Sequence, residues 1–351
     1  MAAPDETEEP NGPARFERLR SYCRAGRAPW RFDANRLVFL TTHEQDSPPD
    51  TLLSPSAFAE RLRRRFSGPL TIEATEGLVA RSPADSAKRV LTPSQKTPLG
   101  LAALLVVGLA AAAPEAAAAA ALAGVAILFT VMIGVRLALA AVAAAPRRPH
   151  PRRPLAESDL PAVTVLVPLF REAAALAGLA AALDKLDYPR AKLDIKLLLE
   201  ESDHETIAEA ISLNKGGRYD LVIVPPSLPQ TKPKALNYAL PTARGELVVI
   251  YDAEDEPEPN QLRLAAETFA AAPDDLACVQ ARLNFYNSGE NWLTRLFTLE
   301  YSLWFDHFLP ALDRIGAPAP LGGTSNIFRI EALIEAGGWD AHNVTEDADL
   351  G

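Results

Sequence analysis

Two cysteines in 351 residues, Cys23 and Cys278, lie far apart in the chain. That excludes a disulfide framework and a cysteine-rich metal site, and it suits a reducing compartment. A basic surface is also missing. Acidic residues number 45 against 35 basic, for a net charge of −10, which argues against a nucleic-acid partner. His204, His307 and His342 stand at no metal-ligand spacing and read as structural or surface residues. The N-terminus "MAAPDETEEPNGP" starts acidic and has no apolar core, so it is not a secretory signal. Residues 1–35, with a start rich in Pro, Glu and Asp, read as a disordered lead-in.

What is present begins with bulk: 48% hydrophobic residues, and a length that allows two or three domains. Residues 36–96 read as a small α/β domain. "RLVFLTT" is strand-like. "SPSAFAERLRRRF" has Ser54 as an N-cap and Pro55 at the first helical position. "GPLTIEAT" reads as a second strand, and Ser82–Pro83 in "SPADSAKRVL" repeats the helix start. This unit holds no catalytic set, which leaves room for a regulatory ligand or partner.

Residues 97–145 change character. "LGLAALLVVGLAAAA" is interrupted at Pro114–Glu115, and Ala116 to Val135 is a run without charge, closed by Arg136. About 20 such residues cross a bilayer, and an arginine at the end of the span can snorkel to the headgroups. Arg81, Lys88, Arg89 and Lys96 precede the run; Arg147, Arg148, Arg152 and Arg153 follow it. Positive charge on both flanks predicts an even number of crossings with both flanks cytoplasmic. The expectation is a transmembrane hairpin in a bacterial-type inner membrane, multi-pass, in contact with membrane lipid. A pair of buried alanine-rich helices is the soluble alternative. Residues 146–160 are a stiff Pro/Arg-rich linker.

From residue 161 to 351 near-continuous apolar strands alternate with helices: "AVTVLVPLF", "LDIKLLLEESD", "YDLVIVPPS", "ELVVIYDAED" and "LACVQARLNF". That pattern predicts a mainly parallel sheet buried on both faces, with ligands at the carboxyl ends of its strands. Charged residues gather there: Arg171 and Glu172, Glu200 and Glu201, Asp252 and Glu254. An oxygen-rich rim suits Mg2+ or Mn2+, and Asp252 with Glu254 is the candidate metal pair; a solvated acidic turn is the bland alternative.

The order of motifs resembles that of the processive family 2 glycosyltransferases, which include cellulose, hyaluronan and curdlan synthases. "TVLVPLFREA" is similar to the family's first strand, "LLLEESDHET" to the second, "PKALNYAL" to its lysine segment and "YDAEDEP" to its D-x-D motif. "LGGTSNIFRIEAL" and "EAGGWD" resemble its acceptor-side loop and turn, and "VTEDADLG" its T-E-D motif. Glu200 and Glu201 stand where the family has paired aspartates, and Glu254 replaces the second aspartate of D-x-D. The family's Q-x-x-R-W motif is expected beyond Gly351, in a longer synthase.

The resemblance implies a GT-A fold and an inverting transfer of sugar from a nucleotide-diphosphate donor, UDP-linked, to a saccharide acceptor in polysaccharide synthesis. It implies Asp347 as the catalytic base. Donor binding would fall to Glu172, Glu200, Glu201, Lys234 and Asp252, the metal to Asp252 and Glu254, and the acceptor side to Gly323, Thr324 and Glu346. Each has a plainer reading. Thr345, Glu346 and Asp347 suit an ordinary helix N-terminus, Glu172 a helix cap, Lys234 and Glu201 a solvated surface, and Gly322–Gly323 a tight turn.

"ENWLTRLFTLEYSLWFDHFLP" is an amphipathic helix with a wide apolar face. It packs on a core, lies on the membrane surface, or lines an acceptor channel. Two other function classes stay open: a nucleotidyltransferase, which would carry a Gly-rich phosphate loop where "PLFREAAAL" has no glycine, and a scaffolding membrane protein with a degenerate site.

Overall fold

The computed structural model describes residues 13–33, 36–42, 53–145 and 152–351. They form two compact units. The first comprises the described residues up to 86, 152–281 and 321–351; the second comprises 87–145 and 282–320.

The first unit is built on a six-stranded sheet of order β5-β4-β3-β6-β8-β7. Its strands are β3 (Val163–Leu169), β4 (Leu193–Glu200), β5 (Asp220–Val224), β6 (Leu247–Ile250), β7 (Cys278–Gln280) and β8 (Asn326–Arg329). β5, β4, β3 and β6 run parallel; β8 is antiparallel to both β6 and β7. Alternate residues of the strands point into two cores. Val163, Val165, Ile195 and Val249 pack with α6 (Leu176–Asp184), α7 (His204–Leu213) and α9 (Gln261–Ala271). Leu166, Leu198, Val248 and Phe328 pack with α8 (Lys232–Ala239) and α12 (Ile330–Glu335). Chain order reverses between β3 and β6, and the crevice above such a switch point is where open α/β sheets bind ligands. Asp252 lies just beyond β6, and Glu172 just beyond β3.

The N-terminal segment differs from expectation in three ways. The lead-in of 1–35 was expected to lack structure. Residues 1–12 lie outside the described residues, but α1 (Pro13–Ala25) is a helix, and β1 (Arg27–Asp33) pairs antiparallel with β2 (Arg36–Thr41). "GPLTIEAT" belongs to a helix, α3 (Ser67–Arg81), rather than a strand. Its β-branched residues suggest a strand, but Leu70 and Ala74 recur at helical spacing and are buried. Thr71 and Thr75 return their hydroxyls to carbonyls four residues back, so tertiary burial overrides local preference. Finally, "SPADSAKRVL" forms turns, and the next helix, α4 (Pro93–Ala112), starts at Pro93.

Nor is 36–96 a separate small domain. Leu19 of α1, Phe58 and Leu62 of α2 (Pro55–Arg65) and Leu70 of α3 share one core with Leu236, Val248 and Phe328. The helix start at Ser54 is as expected: its Oγ accepts the Ala57 N–H at 3.2 Å, with Pro55 next. From α2, Arg63 reaches the sheet and forks onto Asp220, at 2.5 and 2.9 Å. Lys196, fully buried in β4, bonds Asp220 at 2.7 Å and lies 3.3 Å from Asp194. Asp194 takes Arg244 at 2.8 Å and the Thr164 hydroxyl at 3.0 Å. Burial pushes Asp220 and Asp194 up, but the cations beside them outweigh it and hold both carboxyls below their ordinary value.

The second unit holds α4, α5 (Pro114–Ala144), α10 (Trp292–Leu303), a π-helical turn at Trp304–Phe308, and α11 (Leu309–Arg314). α4 and α5 are long and apolar enough to cross a membrane, and none of their residues is buried. In this structure they are therefore not the buried pair of the soluble alternative. Nor is α10 a core helix: none of its residues is buried, and Trp292 is 71% exposed. Asn291 caps α10, accepting from Leu293 and Thr294. Arg314 of α11 donates to the Val142 carbonyl at 2.8 Å, satisfying the C-terminus of α5.

Candidate active site

The site is assembled at the carboxyl end of β6. Tyr251 is fully buried, and the chain then turns so that Asp252 is half-buried while Glu254 is exposed. Asp255 bends back into the turn: its Oδ2 accepts the Asp252 N–H at 2.8 Å and the Thr324 hydroxyl. The same hydroxyl also lies 3.1 Å from the Ile250 carbonyl. Thr324, expected to face an acceptor, spends its hydroxyl on holding the Asp252 turn against the 322–325 loop. Asp255, which sequence reasoning passed over, is the residue that shapes the turn.

Facing Asp252 stands Lys232, first residue of α8. Its ammonium lies 2.6 Å from Asp252 Oδ1, 2.7 Å from the Gly323 carbonyl and 4.0 Å from Glu346 Oε1. A Cβ added to Gly323 would meet Asp347 Oδ2 at 3.4 Å, and Asp252 Oδ2 and Lys232 Nζ at 4.0 Å. Gly323 is therefore the floor on which Asp252, Asp347 and Lys232 converge, although 95 residues separate the two aspartates. Burial raises the Asp252 carboxyl above its ordinary value, against the opposing pull of Lys232. Burial also raises Glu346, which is 6% exposed.

Lys234, singled out from the sequence, points elsewhere. It is fully buried, donating to Glu200 Oε2 at 2.9 Å and to the Pro225 carbonyl at 3.2 Å. Glu200 is 5% exposed, so these two expected donor ligands are each other's partner and are not solvated. Glu201 is exposed on the same sheet edge, its N–H donating to Val224 O at 3.0 Å. Glu172 is half-buried beyond β3, its N–H donating to Thr206 Oγ1 at 3.2 Å. It does not cap α6, whose N-cap is Ala175.

Asp203 ties the two strand-end loops together. It caps α7 through Thr206 and accepts the Arg171 N–H at 2.5 Å. Arg171 adopts φ 61°, a left-handed conformation rare outside glycine. The signal was present in "ESDHET", an Asp three residues before a Thr at a helix start. Thr345 occupies the N-cap of α13 (Glu346–Asp349) but does not cap it; its hydroxyl bonds Asn343 Oδ1 at 2.9 Å.

Among the described residues no group of three or more His, Cys, Asp or Glu side chains is disposed to hold a metal ion. The rim nevertheless fits a cation, because an ammonium already sits on Asp252 and a backbone carbonyl there. Asp252 and Glu254 are the carboxylates that would hold such an ion, with phosphate oxygens completing its coordination.

Residues 161–351 match the family model described as glycosyltransferase like family 2. The chain belongs to that family. Over 226 residues it is 32% identical to the beta-monoglucosyldiacylglycerol synthase of Trichormus variabilis, covering 63% of this chain and 46% of that protein. It is 32% identical over 216 residues to glucomannan 4-beta-mannosyltransferase 2 of Arabidopsis thaliana, covering 57% and 39%. The chain thus spans less than half the length of these relatives. Among solved structures it is similar to a mannosyltransferase from Pyrobaculum calidifontis in complex with GDP-Man and Mn2+. The TM-score is 0.51 and the identity 24%, over 66% of this chain and 61% of that one. This family 2 glycosyltransferase therefore has the GT-A fold, with a mostly parallel sheet preceded by two apolar helices.

Proposed function

We propose that this family 2 glycosyltransferase is a membrane-tethered inverting enzyme. It moves a sugar from a nucleotide-diphosphate donor, UDP-linked, to the hydroxyl of a saccharide acceptor in polysaccharide or glycolipid synthesis. The observation that carries the proposal is the meeting of Asp252, Asp347 and Lys232 over Gly323. An acid turn built for solvation would not bring a second carboxylate and an ammonium to the same floor.

The donor's leaving group is an anionic diphosphate. Mg2+ or Mn2+ held by Asp252 and Glu254 would neutralise charge on it as the sugar–oxygen bond breaks. The Pyrobaculum calidifontis mannosyltransferase was solved with Mn2+, which supports a divalent ion here. Lys232 supplies a second positive group at the same oxygen-rich rim. Asp347 takes the acceptor's proton as its oxygen attacks the anomeric carbon from the side opposite the diphosphate. Glu346 stands beside Lys232 and shapes the acceptor side. Glu201 and Glu172, on the same sheet edge, are the remaining donor contacts. The buried Glu200–Lys234 pair supports the wall behind them.

The apolar α4–α5 hairpin and the exposed face of α10, secured within one unit by Arg314, support a membrane seat. The positive flanks support a cytoplasmic transferase domain. Turnover of UDP-sugars measured with Mn2+ and a panel of saccharide and lipid-linked acceptors tests the reading. Metal-dependent transfer that disappears in Asp347→Asn is expected. Tight UDP binding with no dependence on metal would refute the metal assignment.

A further inference from the structure

We propose that the segment from α3 to Ser86 is a positioning brace for the loop that carries Glu346 and Asp347. The proposal rests on the transferase reading and assigns a role to the chain ahead of the apolar hairpin. Asn237 of α8 is the central tie. Its Nδ2 donates to the Ala74 carbonyl of α3 at 3.2 Å and to the Trp339 carbonyl at 2.6 Å, while its Oδ1 accepts the Trp339 N–H at 3.0 Å. One amide side chain thus joins α3, the helix that begins with Lys232, and the turn leading to the T-E-D segment.

That turn is shaped to receive the brace. Gly337 and Gly338 adopt φ of 94° and 77°, where a side chain is strained. A Cβ on Gly338 would lie 2.6 Å from Asn237 Oδ1, and one on Gly337 would lie 2.9 Å from Leu78 Cδ1 of α3. Arg81, the last residue of α3, donates to the Gly337 carbonyl at 3.1 Å. Farther along, the buried Ser86 hydroxyl bonds Asp340 Oδ1 at 3.1 Å, and the same oxygen accepts the His342 N–H at 3.0 Å. From the N-cap position of α8, Thr231 bonds the Ala341 carbonyl at 2.8 Å. Contacts to successive residues from Gly337 to His342 leave the loop little freedom before it delivers Glu346 and Asp347 beside Gly323.

The chemical consequence follows from geometry. A carboxylate acting as a base must lie within hydrogen-bond reach of the proton it takes, and a displacement of about 1 Å from distant changes can cost about 10²-fold in rate. The ties from Arg81 and Ser86 fall on Gly337 and Asp340 rather than on the strand ends beyond β3, β4 and β6. Loosening it therefore moves the base and leaves donor affinity in place.

The test uses the full chain in lipid nanodiscs and the double variant Arg81→Ala/Ser86→Ala, with each single variant run beside it in case the double fails to fold. Two readouts are taken: hydrogen exchange at the amides of 337–347, and kcat with donor KM. The brace predicts faster exchange confined to that loop, kcat down at least about tenfold, donor KM within about twofold, and rescue of the Ser86 single change by Ser86→Thr. Unchanged exchange in the loop, or unchanged kcat in a folded variant, overturns it, as does a loss that falls on donor KM. If the unaltered chain transfers no sugar, the transferase reading has failed, and the exchange arm alone decides whether the brace holds the loop.

Discussion

Lys232 and Asp252 form an ion pair of 2.6 Å at the base of the site, and the Gly323 carbonyl holds the same ammonium at 2.7 Å. The pair has two consequences of opposite sign. Under the proposed function, the ammonium would compete with a metal for Asp252 in the donor-free chain, and with donor bound it would be a second positive group facing the diphosphate.

Lys232→Met therefore separates two quantities that would otherwise fall together. Mn2+ affinity without donor is expected to rise by roughly tenfold, the equivalent of about 1.4 kcal/mol of relieved like-charge repulsion. Turnover is expected to fall by about 10²-fold, because stabilisation of the leaving group is lost. Calorimetry with Mn2+ alone and a steady-state assay measure the two arms, and a fall in both would remove Lys232 from the metal's neighbourhood.

Asp347 and Asp252 are expected to fail differently although both border Gly323. Asp347→Asn keeps the shape and removes the base, so turnover drops by about 10²–10⁴-fold while UDP and Mn2+ binding stay within about twofold. Asp252→Ala abolishes metal-dependent nucleotide binding itself. Binding isotherms and turnover on both variants check the contrast.

The raised Asp252 carboxyl gives metal binding a pH dependence. Burial makes the charged form costly, so the proton is held to a higher pH than on an ordinary aspartate. Mn2+ must displace that proton. Affinity is therefore expected to fall as pH drops into the range above the usual carboxylate value of about 4, where a solvated Asp would still bind. Because the folded state holds this proton more tightly than the unfolded state, the donor-free chain gains stability from Asp252 as pH falls through that window. Metal titrations at a series of acidic pH values give the midpoint, and a midpoint at the ordinary carboxylate value would contradict the burial argument.

Much of this was legible in the sequence. β3 through β6 were readable because a doubly covered parallel sheet needs continuous apolar runs, and the site's edge because charges cluster where those runs stop. Three features were not. Lys232 and Lys234 both lie in "TKPKALN", and residues two apart on a helix point to nearly opposite sides. Only the rotation of α8 on the sheet decides that Lys232 meets Asp252 while Lys234 meets Glu200. α3 was hidden by Thr71, Ile72 and Thr75, whose strand preference yields to packing against α8. The joining of α1 through α3 to the sheet includes Arg63 finding Asp220, 157 positions away, which no local pattern announces.

That buried contact carries a prediction about folding. Asp220 is held below its ordinary value because Lys196 and Arg63 outweigh its burial. Its folded value thus lies below its unfolded one, and the stability it supplies is complete above about pH 4 and lost as pH falls below that. Asp220→Ala leaves Lys196 and Arg63 buried with one carboxylate fewer, at a cost of about 3–5 kcal/mol. Denaturant unfolding at neutral pH is expected to show that loss, and the variant's stability should change less than that of the unaltered chain between pH 5 and pH 3.

The last expectation concerns α10. Trp292, Leu296 and Leu299 are 71%, 50% and 66% exposed, an apolar surface that water would not favour on a soluble protein. The helix belongs to the same unit as α5, whose last turn is capped by Arg314. We expect this face to lie in the headgroup boundary, where a tryptophan is well placed. In vesicles carrying brominated lipid, emission is therefore expected to be quenched, and Trp292→Phe removes the shallowest quenched component. Leu296→Asp/Leu299→Asp keeps the hairpin but places two charges in that boundary, so quenching falls while α4 and α5 still hold the chain to the vesicle. Quenching that is unchanged by the double substitution would show that the face is turned to water or to a bound acceptor instead.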